Sequence, residues 1–461
     1  MTSKKLSLFA IVMMNVVIVA SLQIMTATAV YGYALFFCYL IAAISFLIPC
    51  ILIISELATA HPITGGSYIW VEKALGKKWG FFAAGIQWLC NLIWYPTIFF
   101  LIATVFGYLI VPDFANHKLY TLGGGVFFFW VITLLNTFGI RVSSFVSTLS
   151  AIIGILLPTA LLICFGIFWV LKGSPNQLAP QWVPDFNDFS RWAFLTQIII
   201  SLIGIELSAV HAGDIQNPKR TIPKAFIYSS VVILFIVIAA PLSIGLVIPS
   251  QQISIVSGLV DALQIFFQSF HVPPFIFLTV LALVFIGNIG TVTGWMISST
   301  RGMYVASKGC AMPSLFQLTN RYKAPLGILL LEAIIFTCLC GLFTLSSVDN
   351  IYWILLALGS QINLLYYVLI FISAIKLKKE LSSTASSFCI PGGTKGTAVA
   401  AVLGSATCLL AIFFGFFPPS TGEVQEGAFV YPIALSVGIL LSLAFPFILL
   451  KLSHKKSKDL A

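Results

Sequence analysis

The sequence predicts an all-α integral membrane protein of twelve transmembrane helices. Three observations carry that fold class: an apolar composition, twelve separate apolar runs of spanning length, and a one-sided distribution of Lys and Arg. The chain has 461 residues, of which 59% are hydrophobic and only 8% charged. Soluble domains carry about 25% charged residues, so an ordinary soluble enzyme, a disordered chain and a fibrous one are all excluded. A net charge of +10 does not make this a nucleic-acid binder, which needs Lys and Arg clustered on one exposed face with aromatics between them. Here the charges stand singly or in twos and threes. The lipid bilayer is the expected partner, and nucleic acid is not.

A spanning helix needs roughly 20 apolar residues. Such runs fall at 7–30, 33–57, 80–110, 121–139, 144–171, 193–212, 223–248, 274–306, 325–345, 350–373, 397–417 and 428–450. Twelve of them with short loops consume about 240 to 300 residues, which leaves one transmembrane domain over 1–461 and no segment for a soluble one. With the N-terminus in the cytoplasm, all but three of the 24 Lys and Arg lie on that side, the exceptions being Lys118, Lys172 and Arg191. Positive residues stay inside, and a miscounted span would reverse the bias in every later loop. Both termini are therefore expected in the cytoplasm.

The start of the chain, with Lys4, Lys5, the apolar run Leu6–Ala20 and Ala27-Thr28-Ala29, also has the composition of a cleavable signal peptide. Removing it would leave eleven spans and no soluble mature domain, so it is read as the first span. The nine cysteines sit in spans or, for Cys310 and Cys389, in cytoplasmic segments, and no disulfide is expected.

Ionisable residues deep in a span cost roughly 2.5 to 3.5 kcal/mol each on insertion scales. Twelve of the 14 acids are placed in loops or at helix ends, which leaves Glu206 and Glu332. Glu206 stands mid-span beside Gly204, which weakens a helix; the plainer reading is a carboxyl that joins two helices by a hydrogen bond. Glu332, two turns from Pro325, is read as structural.

Span 1 is interrupted by Asn15, Ser21, Gln23, Thr26 and Thr28. Polar residues in a span more often join helices than bind ligands. Spans 1 and 6, however, each open a run of five helices, and an odd-numbered unit that is repeated must enter the membrane in the opposite orientation. Corresponding interruptions in two such halves point to a transporter's binding site. The breaks are expected at Ser21–Gln23 and Gly204–Glu206, where half-helix N-termini suit a carboxylate. The halves are 7–172 and 193–373, followed by helices 11 and 12 (397–450) and a short basic tail, 451–461.

The stretch from Gly204 to Pro223, with Glu206 and Asn217-Pro218-Lys219-Arg220, resembles the sixth helix and following loop of the amino acid–polyamine–organocation (APC) superfamily. Gly65-Gly66-Ser67-Tyr68 and Ser299-Thr300-Arg301-Gly302-Met303-Tyr304-Val305 agree with it. The Arg-Gly-Met-Tyr-Val run, Ile390-Pro391-Gly392-Gly393 and Pro446-Phe447-Ile448-Leu449 look most like the bacterial glutamate/γ-aminobutyrate antiporter family. The resemblance implies a LeuT-type 5+5 inverted repeat with broken helices 1 and 6 plus two additional C-terminal helices, and alternating access by rocking of one bundle against the other. It also implies a substrate held against Ser21, Leu22, Gln23, Ile203, Gly204 and Ile205, with Glu206 beside them and a substrate-site or gating aromatic at Trp295. Glu206, Trp295 and His211 are the expected gating or coupling residues; His211, near Asp214, would add pH sensitivity or serve as an interfacial polar residue.

Several positions depart from the family. Arginine/agmatine exchangers place a tryptophan where Ile200 stands, so a guanidinium substrate is disfavoured. The glutamate/γ-aminobutyrate exchangers carry an acid, an aromatic and a proline at Ser21, Leu22 and Gln23, and they have a long C-terminal plug where this chain has only its basic tail. Span 5 holds no lysine of the kind proton-coupled relatives use, while hydroxyls at Thr291, Thr293, Ser298 and Ser299 are available for a sodium site that the family resemblance itself disfavours.

The expected function is exchange of an external amino acid for an internal amino acid or its decarboxylated amine across a bacterial inner membrane, with glutamate for γ-aminobutyrate as the named example. Proton- or sodium-coupled uptake is the nearest alternative. An amino-acid-binding membrane sensor is another, although cytoplasmic loops of about 7 to 25 residues offer no output domain. The motifs His-Glu-x-x-His, Gly-x-Ser-x-Gly and Gly-x-x-x-x-Gly-Lys-Ser/Thr are absent, so no enzyme, cofactor or metal is expected. Beyond substrate and lipid, a homo-oligomer is the one protein partner left open.

Overall fold

The computed structural model describes residues 5–110, 117–184, 196–253, 258–310, 312–343, 348–381, 388–417 and 430–458. Arg191 and the first residues of the run 193–212 lie outside these, as does the side chain of Gln23.

The first apolar run forms two helices, α1 (Leu8–Val19) and α2 (Leu22–Ala29). The second is α3 (Ala34–Ala42) and α4 (Ile48–Ala60), joined by a π-helical turn at Ala43–Leu47. A short α5 (Ser67–Leu75) precedes the long α6 (Lys77–Ile110) and α7 (Lys118–Thr137). Then come α8 (Ile140–Ser150), a second π turn at Ala151–Leu156 and α9 (Leu157–Leu171). Both π turns precede a proline, Pro49 or Pro158. A proline withdraws one N–H and pushes back the carbonyl four residues earlier, and a locally wider turn accommodates both effects.

Residues 196–200 are helical, 201–204 form a turn, and Ile205–Asp214 wind as a 3-10 helix. The chain continues through α10 (Pro218–Val247), α11 (Gly258–Ser269), α12 (Pro274–Gly309), α13 (Ser314–Gln317), α14 (Leu326–Phe343), α15 (Val348–Leu381), α16 (Gly393–Phe414) and α17 (Val430–Lys458). Among the described residues, ten helical stretches are long and apolar enough to cross a membrane, while Leu8–Val19 and Leu326–Gly341 are shorter apolar helices in the runs 7–30 and 325–345.

Two helices arise where loops were expected. In α5 the residues Tyr68, Trp70 and Val71 are buried and Lys73 faces out; α11 likewise buries Leu259, Leu263 and Phe266 on one face. The basic tail that begins at Lys451 continues α17 as far as Lys458.

Large apolar side chains such as Leu40, Phe145, Val231 and Leu440 are exposed around the outside, the surface a lipid-facing bundle presents. At the centre lie α1, α6 and α12. With Ile11, Met14, Val16 and Val17 fully buried, α1 is a core element. The π turn and α12 cross almost backbone to backbone: a Cβ on Gly154 would come 2.3 Å from the nitrogen of Gly287. Small residues permit such close crossings where no hydrophobic effect drives helices together.

Placing twelve acids in loops or at helix ends undercounts the buried ones. Glu56, near the end of α4, is buried and ion-paired with the buried Lys378 of α15. It also accepts from the Ile390 amide (3.3 Å) and the Thr397 hydroxyl (3.3 Å). A buried charge of this kind persists only when paired and hydrogen-bonded. The segment around Ile390-Pro391-Gly392-Gly393 is thereby pinned to α4.

Candidate functional site

The break in the first run comes one residue earlier than expected. Ala20 and Ser21 leave the helix, with Ser21 extended at φ −66° and ψ 128°, and α2 restarts at Leu22. The last carbonyls of a helix have no partner within it, and here side chains of α12 take them. The Thr291 hydroxyl donates to the Val17 carbonyl (2.9 Å), and the Trp295 indole N–H donates to the Ile18 carbonyl (3.0 Å).

The second break turns on Gly204. Its φ of +108° disfavours any side chain, and a Cβ there would meet the Trp295 ring at 2.8 Å and Ile18 at 2.9 Å. Its N–H donates to the Tyr367 hydroxyl oxygen (2.9 Å), and that hydroxyl donates in turn to the Glu206 carboxylate. Gln87 reaches the other carboxylate oxygen at 3.5 Å. Glu206 is thus fully buried and held by α15 and α6.

Between the breaks lies a cavity of about 70 Å³. Of the expected site residues, Ser21, Ile203 and Trp295 line it, as does Ile200. Leu22, Gly204, Ile205 and Glu206 are buried behind the wall, and Gln23 is placed in the first turn of α2. Sequence reasoning missed Asn91 of α6 and Asn363 of α15, which face the same space, and Tyr367, which ties Gly204 to Glu206. Their only signal was an amide or phenol inside an apolar run.

His211 is set apart from the cavity and is buried rather than interfacial. Its Nδ1 lies 3.2 Å from Arg301, its Nε2 lies 3.1 Å from the Ser298 hydroxyl, and Arg301 pairs with Asp214 at 2.6 Å. Arginine only donates, so Nδ1 accepts and the proton sits on Nε2. The same end of the 3-10 helix is bridged to the chain start. Leu6 N–H donates to the Asp214 carbonyl (2.8 Å), Gln216 N–H donates to the Leu6 carbonyl (2.9 Å), and Gly65 N–H donates to the Val210 carbonyl (3.0 Å). The Gly65-Gly66 and Arg301-Gly302 motifs therefore meet at this end of the 3-10 helix, apart from the residues that line the cavity.

The hydroxyls considered for sodium are engaged within the protein. Thr293 and Ser299 bond to carbonyls of their own helix, Ser298 to His211 and Thr291 to Val17. Glu332 is buried, with the indole N–H of Trp88 beside its carboxyl as a hydrogen-bonding neighbour.

The sequence matches known proteins along most of its length. A family model described as amino acid permease matches residues 5–440. An uncharacterized transporter of Legionella pneumophila is 38% identical over 98% of this chain and 97% of that one. A glutamate/γ-aminobutyrate antiporter of Lactococcus lactis is 24% identical, covering 100% and 93% of the two chains. A probable agmatine/putrescine antiporter of the same species is 26% identical over 97% and 95%.

Proposed function

Because the chain belongs to the amino acid permease family, a family of transporters rather than enzymes, we propose that it is an amino acid antiporter working by alternating access. It is a multi-pass membrane protein whose relatives include amino acid and polyamine antiporters. The finer reading has twelve spans in a LeuT-type arrangement, with halves 7–172 and 193–373, both termini in the cytoplasm and the bacterial inner membrane as its location. An external amino acid is exchanged for an internal amino acid or its decarboxylated amine. Glutamate for γ-aminobutyrate, the pair named for the Lactococcus relative, is the nearest named example.

One observation carries the proposal: the interruptions at Ala20–Ser21 and 201–204 face one cavity and are joined across it by Trp295. Backbone unwound at membrane depth is tolerated where it is buried in protein or lines a cavity, and paired breaks of this kind mark a transporter site. Rocking would exchange access between the two ends, and the bridges from Leu6, Gly65 and Arg301 to the 3-10 helix form the cytoplasmic closure. A carrier that isomerises readily only when loaded gives strict exchange.

Proteoliposomes test this directly. Labelled amino acid should enter vesicles preloaded with unlabelled substrate and should not enter empty ones. Uptake into empty vesicles driven by a sodium or proton gradient would replace exchange with coupled uptake, and binding with no flux at all would favour a sensor.

A further inference from the structure

Among the described residues, three that line the cavity carry a buried polar atom with hydrogen-bonding capacity left over: the Ser21 hydroxyl and Oδ1 of Asn363 are without a partner, and Nδ2 of Asn91 has the Tyr95 hydroxyl beside it for one of its two hydrogens. The three residues are 4%, 1% and 5% exposed. Buried polar groups are nearly always satisfied, because an unmade hydrogen bond leaves the cost of desolvation uncompensated. Three such atoms, brought from the break after α1, from α6 and from α15 to one small space, form a set that a bound ligand would complete.

What the wall lacks is as informative. None of the described residues lining it is Lys, Arg, His, Asp or Glu, and Glu206 is turned toward Tyr367 and Gln87. A ligand carrying a net charge would bring an ion into an apolar site with no counter-charge, which burial strongly disfavours. An α-carboxylate and an α-ammonium on one ligand differ, since each offsets the other and both meet the partial charges at the ends of interrupted helices. The space is small, about 70 Å³, and favours a short side chain over a long one.

We infer that the cavity takes a net-neutral amino acid whose short side chain bears a hydroxyl or a carboxamide, read by Asn91 and Asn363. This rests on the transport reading above and narrows it away from glutamate and from cationic amines. One amide supplies a donor and the other an acceptor, which matches a group able to do both and leaves a purely aliphatic side chain facing unused hydrogen-bonding capacity.

The test combines flux with binding. In proteoliposomes loaded with unlabelled serine, uptake of labelled serine should be competed by serine, threonine and asparagine. Glutamate, agmatine and putrescine should compete at least ~10-fold more weakly, the scale of one lost buried hydrogen bond or more. Thermal unfolding of the purified protein with each compound reads binding without requiring flux. Serine that raises the melting temperature but is not exchanged would defeat the antiporter proposal and leave the present inference standing. Glutamate or agmatine that exchanges as well as serine would overturn the inference and leave the antiporter standing, and an absence of binding by any neutral amino acid would overturn it too.

Asn91→Leu and Asn363→Leu address the residues. The wild type should prefer threonine to its isostere valine, and each variant should lose about tenfold of that preference while still transporting valine. An unchanged threonine-to-valine ratio would remove the amides from the site. If neither variant folds, the wild-type competition panel still decides.

Discussion

Trp295 occupies the space that any side chain at position 204 would need: a Cβ on Gly204 would lie 2.8 Å from the indole ring while its backbone holds φ +108°. Two demands therefore converge on one glycine, a left-handed backbone and contact with a buried aromatic. Gly204→Ala adds strain of about 1–3 kcal/mol at such a backbone position and displaces the indole from Ile18. The expected outcome is protein that still inserts and purifies but transports at least tenfold more slowly. Wild-type flux in the alanine variant would show that the ring does not need its present seat.

Trp295 also completes the break in the first run, and its two contributions separate chemically. Trp295→Phe keeps a ring but removes the N–H that reaches the Ile18 carbonyl at 3.0 Å. That leaves a buried acceptor unpaired at about 1–3 kcal/mol. The Michaelis constant for exchange should rise severalfold, and Trp295→Ala should weaken substrate binding further. Unchanged affinity by calorimetry in both variants would remove Trp295 from the site.

The Tyr367 hydroxyl serves two partners, accepting from the Gly204 amide and donating to Glu206. Groups sharing a network couple by about 0.5–3 kcal/mol in double-mutant cycles. Glu206→Gln should alter turnover or its pH dependence more than folding, and Tyr367→Phe added to it should cost less than Tyr367→Phe alone. Strict additivity in turnover would deny the link. Loss of thermostability with wild-type transport per folded molecule would mean that Glu206 only joins helices.

Some of this site was legible in the sequence and some was not, for physical reasons. A glycine beside an acid in an apolar run has few explanations, so the second break could be read directly. The first was placed one residue late because Ala20, a good helix former, gives no local signal. What ends α1 is tertiary, the capture of its carbonyls by Thr291 and Trp295 some 270 residues away. Asn91 and Asn363 were invisible because a lone amide in a span joins helices as readily as it lines a site. Only the neighbouring helices show which atoms keep hydrogen-bonding capacity to spare. Glu56 passed for a helix-end acid because its partner, Lys378, stands 322 residues along the chain.

That buried pair makes its own prediction. Lys378→Met strands Glu56 as a lone buried charge, and breaking a buried pair from one side costs about 3–5 kcal/mol. The melting temperature should fall sharply, and Glu56→Gln combined with Lys378→Met should recover much of the loss. Transport per folded molecule should hold in the double variant. A single variant as stable as the wild type would show that the pair contributes nothing to holding the Ile390 segment on α4.

Glu332 is the reverse case, a buried carboxyl with no ion pair among the described residues and the Trp88 indole N–H as its hydrogen-bonding neighbour. A single indole donor leaves most of the acceptor capacity of the carboxyl unused. A buried polar group in that condition destabilises by about 1–3 kcal/mol, and replacing it with an apolar group of similar volume removes the penalty. Glu332→Met should therefore raise the melting temperature by a few degrees and leave exchange intact. If the variant melts higher but loses exchange, the carboxyl is retained for transport at the expense of stability. If it melts lower, Glu332 has found a further partner in the membrane-embedded protein, and the account of it as an under-satisfied group is wrong.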